Sequence, residues 1–188
     1  MIRTLLSAGI GLAGAFLYAW LRPALGPLPA AAAVLLAWTL LSGARHETAL
    51  ARVAGRGAVV LSLVWRWQAL ARLATSPFVL LPAALALPQA AMVALSWIAR
   101  PAGDGFQSAA KLGSKEAVGA ILLGAAVVAP AGVRLGWFAI SACTLLVFAA
   151  QRLCERRAGG VSRDMLSVLE QAAECIILTG AACQSCSW

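Results

Sequence analysis

An all-α, polytopic membrane fold is predicted by three observations: an apolar excess, apolar runs of about span length, and basic residues gathered in alternate connections. Hydrophobic residues make up 62% of the 188 and charged residues only 12%, with a mean hydropathy of +0.86. Too little polar surface remains to cover a water-soluble core of that size. A hydrocarbon core of about 30 Å takes roughly 20 residues of helix, and barrel strands would alternate rather than run apolar throughout, so the spans read as helices.

The runs fall at Thr4 to Leu21, Leu28 to Gly43, Gly57 to Leu73, Phe78 to Ala99, Ala117 to Val133, Leu135 to Ala150 and Met165 to Ala182. That makes about seven transmembrane helices in one integral membrane domain, residues 1–188. The first run follows Arg3 but lacks a small-x-small cleavage site and leads directly into another span, so it reads as a retained helix. Pro82 and Pro88 interrupt the fourth, which is expected to kink or to form a short re-entrant piece followed by a helix from Gln89.

Basic residues orient the bundle. Arg45, Arg52 and Arg56 follow the second run, Arg100, Lys111 and Lys115 the fourth, and Arg152, Arg156, Arg157 and Arg163 the sixth, against Arg22, Arg72 and Arg134 in the other connections. Positively charged short loops stay cytoplasmic, so the N-terminus is expected inside and the C-terminus outside, in a bacterial inner membrane. The net charge of +8 is then chiefly a topology signal, with attraction to anionic lipid or phosphate secondary. Glu47, Asp104, Glu116, Glu155 and Asp164 lie in the same set of connections, and Glu170 and Glu174 enter the last run from that side. Polar chemistry is therefore expected to face the cytoplasm.

An ionised group in hydrocarbon costs at least about 2.5 to 3.5 kcal/mol, so Glu170 and Glu174 need partners or a ligand. On an ideal helix Glu170, Gln171 and Glu174 share a face, with Asp164 near the helix entrance. Oxygen donors with room for water suit magnesium, which uses a few carboxylates plus substrate phosphates. Arg156, Arg157 and Arg163 are placed to meet those phosphates. A structural role stays open beside this one: Asp164 as an N-terminal residue favoured by the helix dipole, Glu170 at the interface, the arginines as loop anchors.

From Gly159 the chain reads Gly-Gly-Val-Ser-Arg-Asp-Met-Leu-Ser-Val, with Glu174 following. This resembles the late motif of the cobalamin synthases, the adenosylcobinamide-GDP ribazoletransferases: Gly-Gly-x-Thr-Gly-Asp-x-Leu-Gly-Ala and then a glutamate. Gly159, Gly160, Ser162, Asp164, Leu166 and Glu174 carry the likeness. Further similarity runs through Leu41 to Glu47, Arg52 to Leu61 and Ala90 to Gly105. Arg163 and Ser167 stand where the family has glycines. The family's other acidic motif, His-Glu-Asp-Gly-Leu-Ala-Asp, is cut to His46-Glu47, which pass straight to Thr48-Ala49-Leu50.

The resemblance implies that ribazole, or its phosphate, attacks the cobinamide-side phosphorus of adenosylcobinamide-GDP and GMP leaves. Asp164 and Glu174 would be catalytic, Asp164, Glu174 and Glu47 would hold Mg2+, and Arg156, Arg157 and Arg163 would bind phosphate. The lost aspartates predict weak activity. The alternative is a catalytically degenerate relative acting as a membrane interaction subunit, and a transporter is more distant because no internal repeat is evident. Expected partners are the corrinoid nucleotide, ribazole and membrane lipid, with a homo-oligomer or other membrane subunits as further candidates and no nucleic acid.

His46 is the only histidine, which excludes a His-based metal cluster or a serine triad, and it reads as a solvated loop residue. Cys183 and Cys186 form an isolated Cys-x-x-Cys, while Cys143, Cys154 and Cys175 read as packing residues. Arg66, between Trp65 and Trp67, either contacts a carboxylate of the last span or snorkels to the interface, and snorkelling is the preferred reading. Trp20, Trp97 and Trp137 suit an interfacial belt, and Ala120 with Gly124 suits close helix packing.

Overall fold

The computed structural model describes residues 2–73, 75–99, 113–158 and 160–183, with residues 157 and 158 by backbone alone. Gly159, Arg100, Asp104, Lys111, Cys186 and the side chain of Arg157 therefore lie outside the described residues. Among the described residues every element is helical: α1 (Ile2–Leu25), α2 (Pro27–Ser42), α3 (Arg45–Ala54), α4 (Arg56–Ala71), α5 (Pro77–Ile98), α6 (Ser114–Val128, extended by a 3-10 turn at Ala129–Ala131), α7 (Val133–Ala158) and α8 (Arg163–Cys183). Each of the seven apolar runs lies on a helix of its own, and α3 is additional.

Among the described residues five helices, α1, α5, α6 with its 3-10 turn, α7 and α8, are long and apolar enough to cross a membrane, or six spans if α2 and α3 count as one broken span. The expectation of about seven spans is thus reduced by length. α2 and α4 have 16 residues each, about 24 Å of helix against a hydrocarbon core of about 30 Å. Between α2 and α3 the axis turns by 88°. Gly43 and Ala44 both adopt the left-handed region there, φ 61° and 53°, and their N–H groups cap Leu40 O and Thr39 O. Glycine takes that conformation without strain and ends α2.

α5 is the centre of the bundle. It is apolar on all sides, and 72% of its most apolar stretch is buried, against 28% for α1 and 22% for α6. It packs against α1, α6, α7 and α8. Pro82 and Pro88 both lie inside this one continuous helix, so the segment is a single span and the re-entrant piece does not form. Both prolines are buried, and neighbouring helices hold the segment helical where each proline removes a ladder hydrogen bond.

Two small residues set how closely its neighbours approach. A Cβ on Gly11 of α1 would lie 2.5 Å from the Leu81 carbonyl oxygen, and one on Gly124 of α6 would lie 2.6 Å from the Ala90 Cβ. Ala120 is fully buried beside Gly124. Small residues at these crossings let helices pack where lipid supplies little hydrophobic drive.

The outer surface is apolar. Leu6, Phe16, Leu122, Leu145 and Phe148 are all more than half exposed, an arrangement suited to lipid rather than water. Trp20, Trp97 and Trp137 are exposed near helix ends, where interfacial indoles sit. Cys143 and Cys154 are buried and Cys183 is exposed.

Candidate functional site

The site begins at α3, a helix where the sequence pattern predicts a loop. Its ten residues are amphipathic and bury Glu47, Ala49 and Leu50 against α8 and α4. Three contacts give its direction: His46 meets Glu170, Glu47 meets Gln171, and Arg52 meets Asp164. The start of α3 meets residues 170 and 171 and its Arg52 meets residue 164, so α3 lies antiparallel to the first half of α8.

On α4 the Trp65-Arg66-Trp67 run fans its side chains about 100° apart. The Trp65 indole N–H donates to Thr179 Oγ1 of α8 at 2.7 Å, and that of Trp67 donates to the Leu28 carbonyl of α2 at 2.8 Å. With both neighbours tied outward to other helices, Arg66 is directed inward. It does not snorkel: only 4% of it is exposed. Its Nη2 donates to Glu47 Oε1 at 3.1 Å and its Nη1 to Glu174 Oε2 at 3.2 Å.

One guanidinium thus joins carboxylates 127 positions apart in the chain. Gln171, a turn before Glu174, points its amide nitrogen at Glu47 Oε1 at 3.5 Å. Glu47, Gln171 and Glu174 are each less than one-tenth exposed. The cluster carries one positive and two negative charges. Removing ions from water costs several kcal/mol each, and the attraction repays this only where remaining polar atoms also find partners. Several do not: Glu47 Oε2, Arg66 Nε, Gln171 Oε1 and Glu174 Oε1 are buried without a hydrogen-bond partner.

The other expected residues lie toward the α8 entrance. Ser162 Oγ accepts from the Met165 N–H at 3.3 Å, capping the helix. Asp164 follows in its first turn and pairs with Arg52 at 3.6 Å, the side chains 37% and 67% exposed. Ten residues separate Asp164 from Glu174 on one helix, about 15 Å along its axis. The fold brings Glu47 and Glu174 together and leaves Asp164 at the other end of the α3–α8 contact.

Glu170 is half-buried, with its Oε2 3.4 Å from His46 Nδ1, and the two side chains are 14% and 32% exposed. The pair is close without hydrogen-bond alignment. His46 is accordingly a helical, half-buried residue and not a solvated loop residue. Arg156 and Arg163 are exposed at the end of α7 and the start of α8, on the Asp164 side.

Sequence reasoning missed Arg66 as the organising residue. The usable signal was its charge near the middle of an apolar run, which calls for a buried partner when both neighbours are large aromatics. On another face of α4 and α8, a groove of about 660 Å3 is lined by Trp65, Leu135, Phe138, Cys175, Thr179 and Gly180 among others. It is almost wholly apolar and is separate from the charged cluster.

The donor set fits a hard divalent cation in kind. The unpartnered oxygens of Glu47, Gln171 and Glu174 are carboxylate and amide oxygens, and magnesium is commonly held by one or two protein carboxylates completed by water and substrate phosphate. No group of three or more His, Cys, Asp or Glu that could itself hold an ion occurs among the described residues.

Comparison with known proteins bears on the same segments. The family model described as cobalamin-5-phosphate synthase matches residues 53–182, from the end of α3 through nearly all of α8. An adenosylcobinamide-GDP ribazoletransferase of Ralstonia nicotianae (strain ATCC BAA-1114 / GMI1000) is 29% identical over 202 aligned positions, covering 90% of this chain and 78% of the relative. No solved structure matches. With more than half its length under the family model, and with Arg66, Gln171 and Glu174 all inside the matched segment, this helical membrane chain belongs to the cobalamin-5-phosphate synthase family.

Proposed function

We propose that the chain joins ribazole, or its phosphate, to adenosylcobinamide-GDP with release of GMP. One observation supports this reading best: Glu47, the remnant of the first acidic motif, and Glu174, the end of the late motif, face one guanidinium inside an otherwise apolar bundle. The matched relative bears the name of this activity. In the reaction a ribazole hydroxyl oxygen bonds to the cobinamide-side phosphorus, the bridging phosphorus–oxygen bond breaks, GMP departs with that electron pair, and the hydroxyl proton is given up.

Each residue has a proposed task. Glu47 and Glu174 hold Mg2+, which when bound neutralises diphosphate charge. Asp164, at the entrance about 15 Å along α8 from that pair, is too far to take the hydroxyl proton there, so water accepts it. Arg163, Arg156 and Arg157 draw in the phosphates by charge. The apolar surroundings exclude water and strengthen these electrostatic effects. The entrance faces the cytoplasm, with the N-terminus inside, in a bacterial inner membrane. The alternative of a non-catalytic interaction subunit draws no support from the fold or the family match.

The test is GMP release by the purified full-length chain given adenosylcobinamide-GDP, ribazole and magnesium. Release is expected at a rate about a hundredfold or more below that of a relative with the complete first motif, because such electrostatic help is typically worth that much. Grafting the family loop between Glu47 and Thr48 should raise the rate. No GMP from either protein would overturn the assignment.

A further inference from the structure

We infer that Arg66 is a built-in counter-cation that competes with a divalent metal ion for Glu47 and Glu174. The inference rests on reading those carboxylates as the magnesium pair. A guanidinium does not lose its proton in proteins, so this positive charge is permanent. It reaches one carboxylate with Nη2 and the other with Nη1, at 3.1 and 3.2 Å. Arg66 is only 4% exposed and Glu174 only 5%. Salt and water therefore screen little of the charge between them.

A divalent ion entering beside this guanidinium would set three positive charges against two negative ones in a poorly polarisable site. Like charges at a few ångströms repel strongly there, so the guanidinium has to withdraw as the metal binds. The hydrogen bonding is already one-sided. Serving two carboxylates leaves Arg66 Nε, Glu47 Oε2 and Glu174 Oε1 buried without partners. A metal ion would draw on the unpartnered oxygens, and the planar guanidinium fork matches phosphate geometry. A diphosphate arriving with the metal thus offers Arg66 the partner it gives up. Metal alone should bind weakly, and Arg66 is the reason.

The experiment measures free Mn2+ by electron paramagnetic resonance in titrations of the detergent-solubilised, full-length protein, without nucleotide. Arg66→Gln is expected to bind one Mn2+ per chain at least tenfold more tightly than the wild type. Arg66→Lys, which keeps the charge, should stay within about threefold of the wild type, and adding Glu174→Gln to Arg66→Gln should remove the gain. Mn2+ should also raise the melting temperature of Arg66→Gln more than that of the wild type, because the metal restores the missing counter-charge. Affinity of Arg66→Gln equal to or below the wild-type value would overturn the inference. So would failure of that variant to fold when Mn2+ is present throughout purification. GMP release plays no part in these readouts, so transferase activity stands or falls separately.

Discussion

Two sets of charges tie α8 to its neighbours, and they differ chiefly in burial. At the entrance, Arg52 and Asp164 meet at 3.6 Å with 67% and 37% of their side chains exposed. In the body, Arg66 meets Glu47 and Glu174 at 3.1 and 3.2 Å with 5%, 11% and 7% exposed. The chemistry is the same, arginine against carboxylate. An exposed pair gives up little hydration and gains little, about 0 to 1 kcal/mol. A buried cluster has already lost its hydration, so each member depends on the others. The entrance can therefore release its charges to a ligand at small cost, while the inner cluster opens only when another charge replaces the one removed.

The largest expected effect breaks the inner cluster. Glu174→Ala leaves the Arg66 charge with one partner and should destabilise the folded protein by about 3 to 5 kcal/mol, read as a shift in chemical unfolding in mixed micelles. A loss below about 1 kcal/mol would show that water reaches Arg66 and that the two regions do not differ as described.

At the entrance the expected effect is smaller. Arg52→Ala should cost less than about 1 kcal/mol by the same measurement, and the cost should vanish as salt approaches 1 M, where the Debye length falls to about 3 Å. The Glu174→Ala loss should persist in that salt. Parallel salt dependence in the two variants would remove the distinction between them.

The last expectation alters stability least and fixes which side the entrance faces. An impermeant thiol reagent applied to intact cells should label exposed Cys183 and leave Arg52→Cys unlabelled until the cells are opened. The reverse pattern would place the exposed Asp164 region outside. Cys154, which its position in the sequence recommends as an inside reporter, is fully buried and should label from neither side.

The helical membrane class was legible from composition and run length because it depends on local properties. A continuous apolar segment in lipid must satisfy its own backbone, and the helix does so wherever the segment lies. All seven runs are helices for that reason. Helix α3 escaped because ten residues containing Arg45, His46, Glu47 and Arg52 have no apolar run to notice. Its helix is supported by burying one face on α8 and α4, a contact that no window along the chain can contain. Pro82 and Pro88 left a single span and a re-entrant piece both open for the same reason, since packing on several sides carries one helix through both prolines.

The candidate site divides along the same line. Asp164 and Glu174 stood out in the sequence because their spacing and motif are local, and so did the charge of Arg66. That Arg66 would turn inward, that Glu47 would meet it from α3 and Glu174 from α8, and that Asp164 would remain about 15 Å up the helix were decided by tertiary structure alone. Charge and hydropathy belong to single residues and short segments, so the sequence by itself determined that an arginine in an apolar span needs compensation. Which carboxylates supply it depends on how separate helices pack, because an interaction across 19 or 108 residues of chain has no trace in local spacing.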